Sequence, residues 1–543
     1  MKTPTFDYVI VGAGSAGCTL AARLTEDRGA EVLLLEAGGW DRHPWIKLPL
    51  AWGKVLKDQI YSWHYETEPE AALDNRRIEC ARGKVIGGSS SINAMAYVRG
   101  NRADYDRWAA NGLPGWSFAD VLPYFKRQER WEGGGDAFRG GDGPLMTETS
   151  RYQDPVIDAY LEAGRDAGHP STPDYNGADQ HGFARIQMTI GHGKRCSASV
   201  GYLHPTLGRP NLRVETDALV TRILFEGTRA VGVEYRQGGE LKIARAENEV
   251  ILSGGAVNSP QTLMLSGIGD PEELKAHGIE TKVALRGVGK NLQDHPAALI
   301  TYARNGAGPL RENMRLDRIA FEIGRGLAFG KGFATSMPGG ITAFLKSSSG
   351  ENLPDVQLLF IAGPLFDAKP YLSPFVKPFN DGFGCRIVVL RPDSRGRISL
   401  KSTNPEDAPR ISQNLLATDH DKRKIRAAVK LFREIGAQKA MQSFIKSEIV
   451  PGTAKQSDAE LDAAIRQTAV TVHHPACTCP MGTDEMAVVD GELRVRGTEG
   501  LRLVDASVMP DLVGGNINAA VIMIAEKAAD MIRGKAAPAR ANV

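Results

Sequence analysis

The chain has 543 residues, of which 42% are hydrophobic and 24% are charged, a composition typical of an ordinary globular protein. This length exceeds what a single hydrophobic core usually supports, so at least two lobes are expected. The formal net charge is only +2, which excludes an electrostatic case for binding nucleic acid or a membrane surface.

The sequence also argues against export and membrane insertion. The amino terminus has no basic region followed by a long apolar segment, so no secretory signal is predicted. No window approaches about eighteen consecutive apolar residues, so no membrane span is predicted. Six cysteines in a chain of this length indicate free thiols in a reducing compartment, and the expected location is cytoplasmic.

The first forty residues predict a strand, a turn, a helix and a second strand. Tyr8 to Val11 is a short β-branched run, residues 12–17 form the turn, Cys18 to Glu26 has helical apolar spacing, and Val32 to Leu35 is a buried strand. This βαβ unit is the local mark of a parallel sheet.

The turn carries the fingerprint Gly12-x-Gly14-x-x-Gly17. The first glycine permits the turn, the second lets backbone approach a pyrophosphate, and the third lets helix and strand pack closely. Glu36, at the end of the second strand, is placed to accept hydrogen bonds from a ribose, which disfavours NADP but does not separate FAD from NAD. The predicted dinucleotide-binding residues here are Gly12, Gly14, Ser15, Ala16, Gly17, Glu36 and Ala37.

Later segments predict a second lobe and a return to the first. Residues 132–144 and 324–340 are glycine-rich and are predicted to be a mobile loop and a lid or connection. Between Pro354 and Ile411, three strands are predicted in an antiparallel sheet: 356–360, 386–390 and 397–400. A helix follows over 421–440, and the chain then returns to strand 501–504 and helix 519–533.

Several long blocks in the same order resemble the glucose–methanol–choline (GMC) oxidoreductases over nearly the whole chain. The first signature is Gly83-Lys84-Val85-Ile86-Gly87-Gly88-Ser89-Ser90-Ser91-Ile92-Asn93, and the second runs from Gly255 to Gly269, with Thr262 where an aliphatic residue is usual. Further blocks are 289–296 and 501–510. The run 484–506 is most similar to bacterial choline dehydrogenases and related FAD-dependent alcohol dehydrogenases.

The resemblance implies FAD as the cofactor and assigns further residues to it. Gly87, Gly88, Asn93 and Ala94 stand where the family holds the pyrophosphate and isoalloxazine, Val220 where its backbone meets adenine, and Asp505 and Ala506 on the phosphoribityl side. Some members bind FAD covalently through a histidine of the first signature. Ile92 occupies that position, so non-covalent FAD is expected.

Alcohol oxidation on a flavin needs a base for the hydroxyl proton and an acceptor, flavin N5, for the hydride. A neutral imidazole suits the first role near pH 7. The resemblance places the family's base at His474, and Asn516 at the second catalytic position, where its amide can hold the substrate oxygen. Asn516 can also serve as an ordinary helix-start residue.

A zinc site is an alternative interpretation of His473, His474, Cys477 and Cys479, because imidazole and thiolate are zinc ligands. Adjacent histidines and a C-x-C pair do not give the usual spacing, so no metal is predicted and the thiols are expected to be buried. Cys477 stands where the family has glycine.

The expected function is oxidation of a primary alcohol, aliphatic or aromatic, to an aldehyde. The alternatives are a lyase or photodecarboxylase of the same fold, and a non-catalytic dinucleotide-binding protein. A quaternary ammonium substrate needs an aromatic cage with a carboxylate. Tyr61, Trp63 and Tyr65 are aromatic candidates that the sequence cannot place. Oxygen or another electron acceptor, and the oligomeric state, are left open.

The predicted fold class is α/β, and α+β overall: a Rossmann-type FAD-binding domain with an inserted substrate domain of antiparallel sheet and helices. The FAD-binding domain is assigned to residues 1–150, 205–300 and 470–543. The substrate domain is assigned to residues 151–204 and 301–469.

Overall fold

The computed structural model describes residues 4–364 and 368–543. The helices are α1 (Ser15–Leu24), α2 (Pro44–Lys47), α3 (Trp52–Lys57), α4 (Arg102–Ala110), α5 (Phe118–Gln128), α6 (Pro155–Asp166), α7 (Gly255–Leu265), α8 (Pro271–Ala276), α9 (Pro309–Asn313), α10 (Leu316–Phe329), α11 (Asp419–Gly436), α12 (Lys439–Gln442), α13 (Asp458–Thr468) and α14 (Asn518–Ile532). The strands are β1 (Thr5–Val11), β2 (Val32–Leu35), β3 (Glu129–Trp131), β4 (Leu145–Thr149), β5 (Gly182–Arg185), β6 (Gln187–Met188), β7 (Ile190–Gly191), β8 (Lys194–Arg195), β9 (Leu212–Glu215), β10 (Ala218–Glu226), β11 (Arg229–Gln237), β12 (Glu240–Leu252), β13 (Ile268–Gly269), β14 (Val283–Ala284), β15 (Pro296–Arg304), β16 (Gly339–Leu345), β17 (Val356–Ile361), β18 (Gly382–Val389), β19 (Arg397–Ser399), β20 (Arg410–Ser412), β21 (Ile445–Val450), β22 (Val470–Thr471) and β23 (Leu501–Leu503).

The first sheet has the strand order β10-β11-β12-β1-β2-β9, and β23 pairs with β12 on the other side. Strands β23, β12, β1, β2 and β9 are parallel to their neighbours, whereas β10, β11 and β12 form an antiparallel extension. All four side chains of β2 are buried, as expected for a parallel strand covered on both faces. The carboxy-terminal strand therefore joins the sheet that begins the chain, and α14 packs against α1.

The first helix begins earlier than the sequence predicted. It starts at Ser15 rather than Cys18, because Gly14 already occupies the N-cap position in an extended conformation. The predicted strand over residues 8–11 likewise extends back to Thr5. Boundaries of this kind depend on cap geometry, which apolar periodicity does not report.

The second sheet has the order β21-β15-β18-β17-β16-β5, and β22 also pairs with β15. Its pairings are antiparallel, which confirms the predicted class of the second lobe. Two of the three predicted strands, 356–360 and 386–390, correspond to β17 and β18. The third, 397–400, is also a strand, β19, but it pairs antiparallel with β20 in a separate two-stranded sheet and does not join the second sheet.

The two glycine-rich stretches have different outcomes. Gly324 and Gly326 lie inside α10, which ends at Gly330 with φ of +62°, so residues 324–340 are not a simple lid. Residues 132–144 do lack regular structure, but the fully buried Arg139 anchors this loop through an ion pair with Glu129. Within the described ranges, no helix is both long and apolar enough to cross a bilayer.

Candidate active site

One pocket extends from the turn after β1 to the segment that carries His474. All of the predicted site residues line it except Gly17 and Gly87. The pocket lies between the first sheet and one face of the second, since Ile341, Leu359 and Ile361 also line it. The fold thus brings residues from both ends of the chain to one cavity.

The three fingerprint glycines differ in the space around them. Gly12 has φ of +99°, and a Cβ there would lie 2.6 Å from the Ser253 carbonyl oxygen. A Cβ at Gly17 would overlap the carbonyl oxygen of Gly12. At Gly14 the nearest neighbour would be 4.0 Å away, so the backbone at Gly14 is open to a ligand in the pocket.

Glu36 follows β2 and closes the turn from the other side. Its Oε2 accepts a hydrogen bond from the Ala13 N–H at 2.8 Å, and its Oε1 accepts one from the Gly38 N–H at 2.9 Å. Burial raises the pKa of Glu36 to about 7, against the opposing effect of these two amides. The side chain lines the pocket, where a ribose contact is still a prediction.

The amino termini of α1 and α14 meet at the pocket. Neither helix has a side-chain cap on its first amides, and Ser15 Oγ donates to Asn518 Oδ1 at 2.6 Å, joining the two ends. Gly14, Ser15 and Asn518 all line the cavity. Two uncapped helix amino termini make the cavity suitable for an anionic dinucleotide, because their N–H groups and dipoles favour negative charge.

The first signature segment crosses the fingerprint turn. A Cβ at Gly88 would lie 2.7 Å from the Gly14 Cα, so the two backbones touch. Gly87 has φ of +85°, and a Cβ there would overlap Ser91 Oγ, which gives it a packing role outside the pocket wall. Asn93 Oδ1 accepts from Arg195 Nη1 at 2.8 Å, which fixes the amide beside the cavity.

The remaining predicted cofactor residues line the same cavity. They are Ala37, Ala94, Val220, Asp505 and Ala506. Asp505 is buried, and its carboxylate accepts from Gly255 N–H at 2.8 Å and Ser259 Oγ at 2.6 Å. Burial raises its pKa.

His474 and Asn516 are in direct contact at the other end of the pocket. The amide Nδ2 of Asn516 donates to His474 Nε2 at 3.1 Å. Gln357, in β17, donates from Nε2 to Asn516 Oδ1 at 3.4 Å, so the amide nitrogen of Asn516 is turned toward the imidazole. Burial, with the nearby His295 ring and the Arg82 charge, holds the pKa of His474 well below its usual value.

A second histidine fixes which nitrogen of His474 carries the proton. His295 Nε2 lies 3.1 Å from the Leu390 carbonyl oxygen, so it must donate, and His295 Nδ1 lies 3.0 Å from His474 Nδ1. Burial lowers the pKa of His295 to about 4, so the ring is neutral and its Nδ1 has only a lone pair to offer. His474 therefore donates from Nδ1, which leaves a lone pair on Nε2 at the pocket.

Asp294 ties the two histidines together through the backbone. It accepts hydrogen bonds from the N–H groups of His295 (2.8 Å) and His474 (2.9 Å), and from the side chains of Thr471 (2.5 Å) and Gln413 (2.8 Å). Burial raises its pKa to about 6, against the opposing effect of Thr471 and Arg82.

Sequence reasoning did not identify the residues that position the pair. Asp294 and His295 lie in the block 289–296. An acid next to a histidine in a buried run is unusual, and this pair could have indicated a role beside the catalytic segment. Gln357 gave no signal, since a glutamine in a predicted strand is normally a surface residue.

The cysteines next to the catalytic segment are packed into the interior. Cys477 donates its N–H to the Ala506 carbonyl oxygen and Cys479 to that of Ser507, so their segment runs beside residues 506–508. Burial raises the pKa of both thiols. In the part of the chain that the structure describes, no three His, Cys, Asp or Glu side chains are arranged to hold a metal ion.

Two profiles of one protein family match the chain. The amino-terminal profile of the GMC oxidoreductases matches residues 6–297, and the carboxy-terminal profile matches residues 392–525. The chain belongs to the GMC oxidoreductase family. As a member of this family, it is an FAD-dependent alcohol oxidoreductase.

Relatives of this GMC oxidoreductase match over almost their full length. Human mitochondrial choline dehydrogenase is 46% identical, with 98% of this chain and 90% of the relative covered. Oxygen-dependent choline dehydrogenase of Vibrio vulnificus is 43% identical, with 97% and 94% covered. Together with the solved structures below, these names favour alcohol oxidation over the lyase and photodecarboxylase alternatives.

Solved structures share the fold of this GMC oxidoreductase. Pyridoxine 4-oxidase from Mesorbium loti superposes with a TM-score of 0.87 at 32% identity, covering 98% of this chain and 100% of that one. Formate oxidase from Aspergillus oryzae superposes with a TM-score of 0.90 at 26% identity, covering 98% and 99%.

Proposed function

We propose that the protein oxidises a primary alcohol to an aldehyde, with His474 as the general base and Asn516 holding the substrate oxygen. One observation carries this proposal: the lone pair of His474 Nε2 and the amide of Asn516 meet in the cavity that the fingerprint glycines also line. A base and an oxygen-binding donor beside a dinucleotide cavity are what alcohol oxidation needs.

The base acts on the hydroxyl proton. The substrate O–H takes the place of the Asn516 amide as the donor to His474 Nε2, and the substrate oxygen accepts from that amide. As the proton moves to Nε2, His474 becomes an imidazolium, and its Nδ1–H then makes a charge-assisted hydrogen bond to His295. The low pKa of His474 ensures that the ring is unprotonated before substrate binds.

FAD, when bound, supplies the acceptor for the hydride that leaves the carbinol carbon. The residues that would hold it are the fingerprint turn, Glu36, the first signature and the amino terminus of α14, which presents its positive end to the cavity. Ile92 lines the same cavity and has no nucleophilic atom, so we propose that FAD is bound without a covalent link.

The domain assignment stays a proposal supported by the sheets. The first sheet draws its strands from residues 5–252 and 501–503, and the second from 182–185 and 296–471. These ranges support the five proposed segments except at two boundaries, because β15 begins at Pro296, before residue 301, and β22 lies at 470–471, after residue 469. A cytoplasmic location is likewise proposed from the cysteine content alone.

The first experiment is an absorbance spectrum of the purified protein, followed by anaerobic addition of primary alcohols. Choline enters this panel because it is the alcohol in the names of the relatives, beside neutral aliphatic and aromatic alcohols. Bleaching of a flavin band by one of them supports the proposal, and admission of air then separates oxidase from dehydrogenase. A colourless protein that FAD cannot reconstitute, or a flavin that stays oxidised with every alcohol, contradicts it.

Variants then test the two roles. His474→Ala is expected to slow flavin reduction about 100- to 10,000-fold, the range for loss of a general base. Asn516→Ala is expected to cost about 100- to 1,000-fold, as for an oxygen-binding donor. The matched control His277→Ala, which follows α8 outside the pocket, should leave the rate unchanged. Equal rates in His474→Ala and the control would refute the assignment of the base.

A further inference from the structure

One buried arginine beside the first signature binds only neutral oxygens. Arg195 is 4% exposed, and its Nε donates to the Ile46 carbonyl oxygen at 2.8 Å. Its Nη1 donates to the carbonyl oxygens of Ser90 (3.2 Å) and Asn93 (2.6 Å) and to Asn93 Oδ1 (2.8 Å). In the described part of the chain, Nη2 has no hydrogen-bond partner and no carboxylate pairs with this guanidinium.

A tight hairpin places this side chain in the interior. Ile190 of β7 pairs with Arg195 of β8, and the two residues between the strands, His192 and Gly193, both have positive φ. A two-residue turn of this kind matches the twist of the flanking strands and fixes their register. The hairpin therefore sets the point from which the guanidinium reaches the first signature.

The charge of Arg195 is costly in this position. Burial alone lowers its pKa to about 9, so the guanidinium is still protonated at neutral pH. Burying a charge without a partner of opposite sign is strongly unfavourable. Glu36 and Asp505, which line the cavity, do not offset this cost, because their oxygens bind backbone amides and Ser259. Arg195 is therefore expected to stabilise a negative charge that arrives with a ligand.

The first signature runs from the fingerprint turn toward the catalytic end of the cavity. Gly88 touches the fingerprint turn, whereas Ala94 packs in one apolar cluster with Leu359 of β17, the strand that positions Asn516. Asn93 and Ala94 line the cavity. The arginine that binds Asn93 thus lies one side chain behind the part of the wall where, in the proposed arrangement, the isoalloxazine accepts the hydride.

We infer that the guanidinium of Arg195 stabilises the negative charge that FAD gains on accepting the hydride, and thereby raises the reduction potential of bound FAD. This inference rests on the proposed placement of FAD along the first signature. A hydride carries one proton and two electrons, so its transfer adds one unit of negative charge to the isoalloxazine, while the hydroxyl proton goes to His474 and the alcohol becomes an aldehyde. A fixed positive charge in a buried site favours that product without having to move.

The first measurement uses the wild-type holoenzyme. The midpoint potential of bound FAD is determined by equilibration with a reference dye and is compared with that of free FAD in the same buffer. The equilibrium constant for reduction is expected to be at least about tenfold higher in the protein, which corresponds to about 30 mV for a two-electron couple. A bound potential at or below that of free FAD overturns the inference. Failure of every alcohol to reduce the flavin contradicts the proposed function instead.

Variants then assign the effect to the charge. Arg195→Met is expected to lower that equilibrium constant at least about tenfold. Arg195→Lys keeps the charge but loses the planar fork, and it should lie closer to the wild type at about pH 6, where a buried lysine keeps more of its charge. Arg209→Met is the matched control and should leave the potential unchanged, since Arg209 also binds neutral oxygens, those of Ala22 and Thr25, outside the cavity.

The affinity for FAD separates the isoalloxazine from the pyrophosphate as the group that Arg195 stabilises. The pyrophosphate is charged in both redox states, so a guanidinium that stabilised it would change the Kd of FAD and leave the potential unchanged. A lower affinity at unchanged potential in Arg195→Met therefore refutes the inference, as does an equal loss of potential in Arg195→Met and Arg195→Lys. If neither variant retains FAD, the comparison of the wild-type protein with free FAD decides.

Discussion

Replacing His295 by phenylalanine tests the origin of the base. The ring fills the same space but removes the acceptor for His474 Nδ1–H, which lies 3.0 Å away in a buried site. A charge-assisted hydrogen bond contributes about 1.5–3 kcal/mol, and this bond becomes charge-assisted only when His474 takes the proton. The loss therefore falls on the transition state, and it corresponds to roughly a 10- to 100-fold slower flavin reduction.

A second variant separates the acceptor from the rest of the ring. His295→Asn places Oδ1 close to the former Nδ1 and keeps the acceptor, but it cannot reach the Leu390 carbonyl oxygen. We expect it to lose some stability and to retain more of the rate than His295→Phe. Both are measured by stopped-flow reduction of the flavin at saturating alcohol, with the Tm and flavin content of each protein recorded.

The reasoning fails on either of two results. One is a His295→Phe protein that keeps its flavin and reduces it within about threefold of the wild-type rate. The other is an equal decrease in rate for His295→Phe and His295→Asn at unchanged Tm, since the acceptor that asparagine retains would then make no contribution to the rate. His277→Phe serves as the matched control outside the pocket.

Three further outcomes follow from the structure. Because burial holds the pKa of His474 well below 6.5, the acid limb of kcat/KM should lie at lower pH than for an ordinary histidine, and an inflection near 6.5 assigned to this base would contradict that. Gly14→Ala should weaken FAD binding without lowering the Tm of the apoprotein, since its Cβ faces the open pocket. Gly17→Ala should lower both the FAD content and the Tm of the apoprotein, because its Cβ overlaps backbone. Identical behaviour of the two variants would refute these separate roles. The six free cysteines are all buried, so native protein should resist a thiol reagent that reacts with all of them after unfolding; rapid reaction in native protein would disprove this.

Local signals predicted the first lobe well because its chemistry is local. The strand, the glycine turn and Glu36 lie within one βαβ unit, where each residue type has its own physical reason. The same approach failed at α10, where Gly324 and Gly326 suggested a loop. A Cβ at position 326 would lie 3.0 Å from the Leu48 side chain. Tertiary packing therefore favours a glycine at this position, although glycine has a low helix propensity.

The catalytic pair was predicted by resemblance, but its partners could not be. The contact of His295 with His474 joins residues 179 positions apart, and that of Gln357 with Asn516 joins residues 159 apart. Neither pair shares a strand or a helix, so no periodicity relates them. Only the arrangement of the two sheets around the pocket brings them together.

The second sheet therefore does more than line the pocket. His295 directly precedes β15, Leu390 directly follows β18, and Gln357 lies in β17. These three strands are neighbours in the order β15-β18-β17. One rigid sheet thus fixes the proton on His474 and turns the amide of Asn516. The same strands position the proton-transfer residues and form the wall of the substrate pocket. A substitution in β17 or β18 that alters substrate specificity by shifting either strand will therefore also alter the rate of proton transfer from the alcohol.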